Sequence, residues 1–213
     1  MKVCVIGLGR FGFNVATTLA QHKIEVLAVD NNESIISSIK DAVTQAICIN
    51  ITDENSLISI GVEDMDVVIV AMGENFAQSI LITTLLKKRL KVKRVITRCI
   101  NTIHHEIVSL TGADETIIPE LNVGIQLAER LSSPFQQFFR ITGEFSMSQI
   151  AVPHRFVGKT TDALHLYDNY LVTCVGRKED NRFISIAPDY IIQENDILLF
   201  SGNEDDLIKV ARL

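Results

Sequence analysis

The sequence predicts an α/β fold: a doubly wound parallel sheet, then a long crossover helix, then a small α+β module. Three observations carry this. Short β-branched runs alternate with helical periodicity through the first half of the chain, and glycines at 7, 9 and 12 follow the first of those runs. After about residue 141 the pattern changes to short alternating strands. Strands that read as continuous apolar runs between helices belong to a parallel sheet covered on both faces. The organisation expected is therefore 1–119 for the sheet domain, 120–140 for a crossover helix and hinge, and 141–213 for the terminal module.

In the first domain the strands fall at 2–6, 24–29, 45–49, 67–71, 94–97 and 115–118. Helices fill the intervals at 10–22, 33–41, 54–60, 75–90 and 102–110. The fourth helix is the clearest, with Ala77, Ile80, Leu81, Thr84 and Leu85 on one face, and it closes on Lys87, Lys88 and Arg89, cations where the helix dipole is negative. Pro119 stops the last strand and 120–139 reads as one long helix through Val123, Leu127 and Leu131, with Ser132, Ser133 and Pro134 as the break and hinge. Beyond it, strands are expected at 146–152, 170–176, 183–187 and 196–201, with helices at 160–166 and 203–211.

Composition bounds the function. A chain of 213 residues with 47% hydrophobic content can build one sizeable domain or two small ones, and a formal net charge of −6 argues against nucleic acid as a partner. No run approaches the roughly 20 apolar residues that span a bilayer. The N-terminus enters a strand without a charged region followed by an apolar one, so no signal peptide is expected. Cys4, Cys48, Cys99 and Cys174 are scattered without a CxxC pair, which fits buried reduced thiols in a cytoplasmic protein better than zinc ligands.

The chemistry concentrates at the carboxyl ends of the strands. Gly7, Gly9 and Gly12 form a GxGxxG turn between strand and helix, the opening of a Rossmann unit. Gly7 serves the tight turn, Gly9 lets backbone N–H groups approach a pyrophosphate, and Gly12 lets the helix pack on the strand. Asp30, with Asn31 after it, ends the second strand roughly 20 residues on, where a carboxylate accepts from a ribose diol and repels a 2′-phosphate. An adenine nucleotide is the expected ligand. Asn50, Ile51 and Thr52 leave the third strand toward the adenosine, although Thr52 or Asp53 could equally cap the next helix. Ala71 and Gly73 are small enough for close approach at the end of the fourth strand, and Asn75 is either a contact or a helix cap. Arg10, beside Phe11 in the glycine motif, could pair with a terminal phosphate or lie free on the surface. Arg98 faces the crevice by position at the end of the fifth strand, and Glu120 follows Pro119 as either a site carboxylate or an ordinary first-turn glutamate. His104 and His105 point about 100° apart on a helix and cannot chelate together. The terminal module shows no proton donor of the kind hydride transfer needs, so the nucleotide reads as an effector rather than a redox cofactor.

Taken together, these residues resemble the regulator-of-potassium-conductance family, the RCK or KTN domains. The glycine motif from Gly7 to Gly12, Asp30, the stretch from Asn50 to Asp53, the stretch from Ala71 through Glu74 to Asn75, and His104–His105 all match. So do Gly112, Ala113 and Asp114, then Ile118, Pro119 and Glu120, and Pro188–Asp189 in the terminal module. The likeness covers the whole chain and is to the cytosolic gating subunits of Trk/Ktr-type potassium uptake systems. It implies a homo-oligomer, dimers assembling into a ring that is often an octamer, docked on the inner face of the membrane beneath a potassium-translocating subunit. ATP and ADP compete for such a site, some members take NAD or NADH, and Glu120 matches a position implicated in divalent-cation binding. Arg10 matches the candidate sensor of the terminal phosphate. Two departures stand out: the stretch from Leu166 to Leu171 lacks the basic residue used by members that bind a cyclic dinucleotide, and Ile51 replaces an acidic residue. The expectation is a non-enzymatic gating subunit. The alternatives are an NAD(H)-responsive regulator of a transporter or antiporter, and a small NAD-dependent oxidoreductase.

Overall fold

The computed structural model describes residues 1–213 except 74, 133, 134, 136 and 181. They form two compact units, Met1–Asn122 and Val123–Leu213. In the first, β1 (Lys2–Ile6), β2 (Glu25–Asp30), β3 (Gln45–Cys48), β4 (Val67–Val70), β5 (Arg94–Arg98) and β6 (Glu115–Ile117) make one sheet. Its order is β3-β2-β1-β4-β5-β6 and its pairings are parallel, so the strand order reverses beside β1, between β1 and β4. The connecting helices are α1 (Arg10–Gln21), α2 (Glu33–Ile39), α3 (Glu54–Ser59), α4 (Phe76–Thr84) and α5 (Thr102–Thr111).

The apolar runs are continuous because each strand feeds two cores. On β1, Cys4 and Ile6 join Leu27, Val29, Val68, Val70 and Val95 on one face. Val3 and Val5 join Val26, Ala28 and Ile69 on the other. A branched side chain buried this fully contributes about 1.5–3 kcal/mol. Cys48 departs from expectation: it is exposed, because β3 is the edge of the sheet and Cys48 is its last residue.

Two helical readings change in shape. Beyond Thr84 the chain runs on as a π-turn over Leu85–Arg89, in which Leu90 N donates to Leu85 O at 3.0 Å. The crossover helix, α6 (Pro119–Ser132), is shorter than the 120–139 reading, and residues 137–139 belong to a strand instead. Its last residue turns back on itself through Ser132 Oγ to Glu129 O at 3.2 Å, and β7 (Gln137–Thr142) follows, paired antiparallel with β8 (Phe145–Ala151). The reading failed because Phe138 falls seven residues after Leu131, on the same helical stripe, so the periodicity alone does not reveal the strand. The Ser133–Pro134 break and Glu74 lie outside the described residues.

The second unit holds an antiparallel sheet, β10-β9-β11-β8-β7, with β9 (Thr173–Glu179), β10 (Arg182–Ile184) and β11 (Ile197–Asn203). Ile150, Val172, Leu198, Phe200, Leu207 and Val210 form its core, the last two from α8 (Glu204–Ala211). The helix expected at 160–166 is instead a 3-10 turn, Asp162–Leu164, followed by α7 (Leu166–Tyr170). His165, at φ +45°, separates them, and Leu171, at φ +56°, ends α7 and delays β9. Among the described residues no helix is long and apolar enough to cross a membrane.

Candidate functional site

A cleft of about 750 Å³ opens at the carboxyl ends of the strands in the first unit. Gly7, at φ +91°, turns the chain out of β1, and a side chain there would press on Met72 N at 3.1 Å. Gly12 cannot carry a Cβ, which would overlap Gly7 O and touch Ala71 Cβ at 3.0 Å. That contact is the reason α1 lies so close beneath the loop. Gly9 differs from both: it is the N-cap of α1, has extended backbone, and nothing stands within 4 Å of where its Cβ would be. Its open face lets an anion reach the free N–H groups of the first turn. Arg10 is exposed beside it, with no ion pair or side-chain hydrogen bond among the described residues.

Asp30 is half-buried and anchors the loop. Its Oδ2 accepts from Leu8 N at 2.6 Å and its Oδ1 from Asn32 N at 2.8 Å. A carboxylate has about four acceptor positions, so capacity remains for ribose hydroxyls. Asn31 and Phe11 line the cleft with Arg10, Asp30, Ala71, Gly73, Asn75, Arg98 and Glu120. Asn75 is also the N-cap of α4, its Oδ1 accepting from Gln78 N at 3.1 Å.

Asn50 and Ile51 lie beside this cleft, around a smaller cavity, and Ile51 is buried. Thr52 lines neither space; its N–H donates to Ser56 Oγ at 3.2 Å, and Asp53 caps α3 in a reciprocal box with Ser56. Three lining residues were not anticipated: Asn32, Ile35 and Gln78. Gln78 matters most, because its Nε2 donates to Ile51 O at 2.5 Å and ties α4 to the loop after β3. Only tertiary placement reveals such a link; the cap at Asn75, three residues earlier, was its one sequence trace.

At the far side Arg98 Nη2 donates to Glu120 Oε1 at 2.5 Å. Glu120 sits in the first turn of α6, where its own backbone N–H and then Arg98 hold its carboxyl below the usual glutamate range. The two histidines are structural. His104 is fully buried against Phe76, with ring centroids 4.6 Å apart, and burial lowers its pKa and keeps it neutral. His105 Nδ1 meets Thr116 Oγ1 at 2.6 Å. Among the described residues no three His, Cys, Asp or Glu side chains converge as a metal site.

The sheet order, the glycine turn and the acid at the end of β2 define the dinucleotide-binding Rossmann class for this unit. A TrkA-N domain model matches residues 3–119, and a TrkA-C domain model matches 147–213. The chain belongs to the RCK family, in which these two domains follow one another. It is 34% identical over 208 residues to Ktr system potassium uptake protein A of Bacillus subtilis (strain 168), across 97% of this chain and 93% of that one. It is 32% identical to Ktr system potassium uptake protein C of the same organism, across 99% and 96%. Among solved structures it resembles the GsuK channel bound to NAD, with TM-score 0.69 at 14% identity. That match covers all of this chain but only 39% of the channel chain, and it speaks to the fold alone.

Proposed function

We propose that the chain is a regulatory subunit of a membrane potassium transporter, and that ATP and ADP compete for the cleft to set its conformation. The observation that carries the reading is the open face of Gly9 beside an Arg10 unpaired among the described residues, on a chain alike along its full length to Ktr proteins. Gly9 and the first turn of α1 would hold phosphates, Asp30 the ribose, and Asn50 and Ile51 the adenosine side. ATP differs from ADP by one phosphoryl group, and an unpaired guanidinium can respond to that difference.

A divalent cation fits Glu120 only as one ligand of several. Phosphate oxygens or a second protomer would supply the rest, and Arg98 must yield the carboxylate. Two exposed apolar faces support a homo-oligomer. Ile103 and Leu110 stand out on α5, at 63% and 85% exposed, and α6 buries none of its residues while exposing Leu121, Val123 and Leu131. One self-complementary face closes a dimer, and a second lets dimers join into a ring. A dehydrogenase is disfavoured because, among the described residues, no Ser, Thr, Tyr, His, Lys or Cys lines the cleft. Thermal unfolding with ATP, ADP, NAD, NADH and NADPH, with and without magnesium, tests the proposal. A ligand at about 100 times its Kd adds about 2.7 kcal/mol, so unequal shifts with ATP and ADP are expected and little with NADPH. A response confined to NADH would replace this reading with a redox-linked regulator.

A further inference from the structure

We propose that Arg98 selects for an anionic group in the second half of the cleft, and that Glu120 is the internal partner such a group must displace. The proposal rests on the nucleotide reading above and deepens it. In a sheet of this order the halves of a dinucleotide lie on either side of the point where strand order reverses. Arg98 ends β5 and Glu120 follows β6, so both stand in the half that would receive the second nucleotide.

Arg98 is built into the wall of the cleft rather than laid on its surface. Its side chain is only 18% exposed. Its Nη1 occupies the space a Cβ at residue 73 would need, so the guanidinium is seated against Gly73 through that nitrogen. Its Nε is buried without a hydrogen-bond partner among the described residues. A guanidinium offers five N–H donors in a fixed fork, and that fork matches phosphate oxygens two at a time. Among the described residues Glu120 meets this fork through one hydrogen bond, and it is itself 67% exposed. An ion pair with one partner so exposed is weak and easily exchanged. A phosphoryl group, with more charge and three oxygens, can take Arg98 from it.

The consequence is discrimination by charge. A nucleoside di- or triphosphate reaching this half presents an anion that competes with Glu120 for Arg98. The nicotinamide end of a dinucleotide presents a neutral or positive ring, gains nothing from the guanidinium, and must fit beside an intact ion pair.

The test is a double-mutant cycle on the full chain, with Kd for ATP, ADP and NADH measured calorimetrically in EDTA so that no cation engages Glu120. Arg98→Gln is expected to weaken ATP about tenfold or more while changing NADH by no more than about twofold. Glu120→Gln is expected to tighten ATP severalfold in the parent chain and to have no effect once Arg98 is glutamine. If the Glu120→Gln gain persists undiminished in that background, it is simple charge repulsion and the displacement idea fails. If Arg98→Gln binds ATP like the parent, Arg98 does not touch the ligand. Should the parent chain bind no nucleotide, the cleft assignment itself falls, a result distinct from both. Arg98→Lys keeps the charge and loses the fork; it serves if the glutamine variant does not fold, and a severalfold weaker ATP affinity is expected, with parental affinity overturning the proposal.

Discussion

Gly9 and Gly12 stand three residues apart in one motif and answer to different constraints. At Gly12 a methyl group meets backbone oxygen that cannot move without lifting α1 from the loop; at Gly9 it meets open space. Gly12→Ala is therefore expected to cost about 1–3 kcal/mol of stability, the usual penalty of overpacking, and to abolish nucleotide-induced stabilisation. Gly9→Ala, on backbone that any residue adopts, should unfold at the parental temperature and still lose nucleotide affinity. Thermal midpoints with and without ATP separate the two, and equal destabilisation would mean that Gly9 is structural as well. At this scale the sequence was informative wherever chemistry depends on strand ends: Asp30, Asn75, Arg98 and Glu120 all reach the cleft. It was uninformative where a neighbour decides. Thr52 is claimed by Ser56, and Gln78 enters by bonding to Ile51 across 27 residues of chain.

Between elements, the end of the α4 segment is fixed to the β5–β6 side of the sheet by Asp114. Its carboxylate accepts from Lys87 Nζ at 2.8 Å and from Val95 N at 2.6 Å, while Lys87 also donates to Val92 O at 3.2 Å. Burial alone would raise the Asp114 pKa, but Lys87 and the Val95 N–H outweigh it and hold the carboxyl below the usual aspartate range. A lowered native pKa means stability that is present above the unfolded value and lost as pH falls through the native one. Asp114→Asn should thus cost about 1 kcal/mol at pH 7, discounted for the solvent-exposed edge of the carboxylate. The gap from the parent chain should begin to close as pH falls below about 4. Urea unfolding at pH 7 and pH 3 measures it; an unchanged gap would place the effect in packing rather than charge. The elements most legible in advance were the six parallel strands, because burial on both faces leaves long apolar runs. The α6–β7 junction was not, since Leu131 and Phe138 share a helical stripe and only the ladder to β8 reveals the strand.

For the whole molecule, the exposed guanidinium of Arg10 is the feature by which ligand identity would reach an assembly. Converting a ring from one shape to the other, 1:99 to 99:1, needs about 5.5 kcal/mol of differential binding. A single charge-assisted hydrogen bond contributes about 1.5–3 kcal/mol, so one site falls short and about three acting together suffice. That arithmetic favours a concerted oligomer, consistent with the two exposed apolar faces on α5 and α6. Under the proposed function, Arg10→Ala removes the group that would meet the extra phosphoryl and nothing that the fold uses, since Arg10 has no side-chain partner among the described residues. The variant should keep ADP affinity within about twofold and the parental unfolding temperature, yet lose most of the ATP-over-ADP difference, a change of about tenfold or more. Sedimentation with each nucleotide should then show one hydrodynamic state where the parent chain shows two. An Arg10→Ala chain that still separates ATP from ADP as the parent does would move the discrimination to the Arg98 side of the cleft.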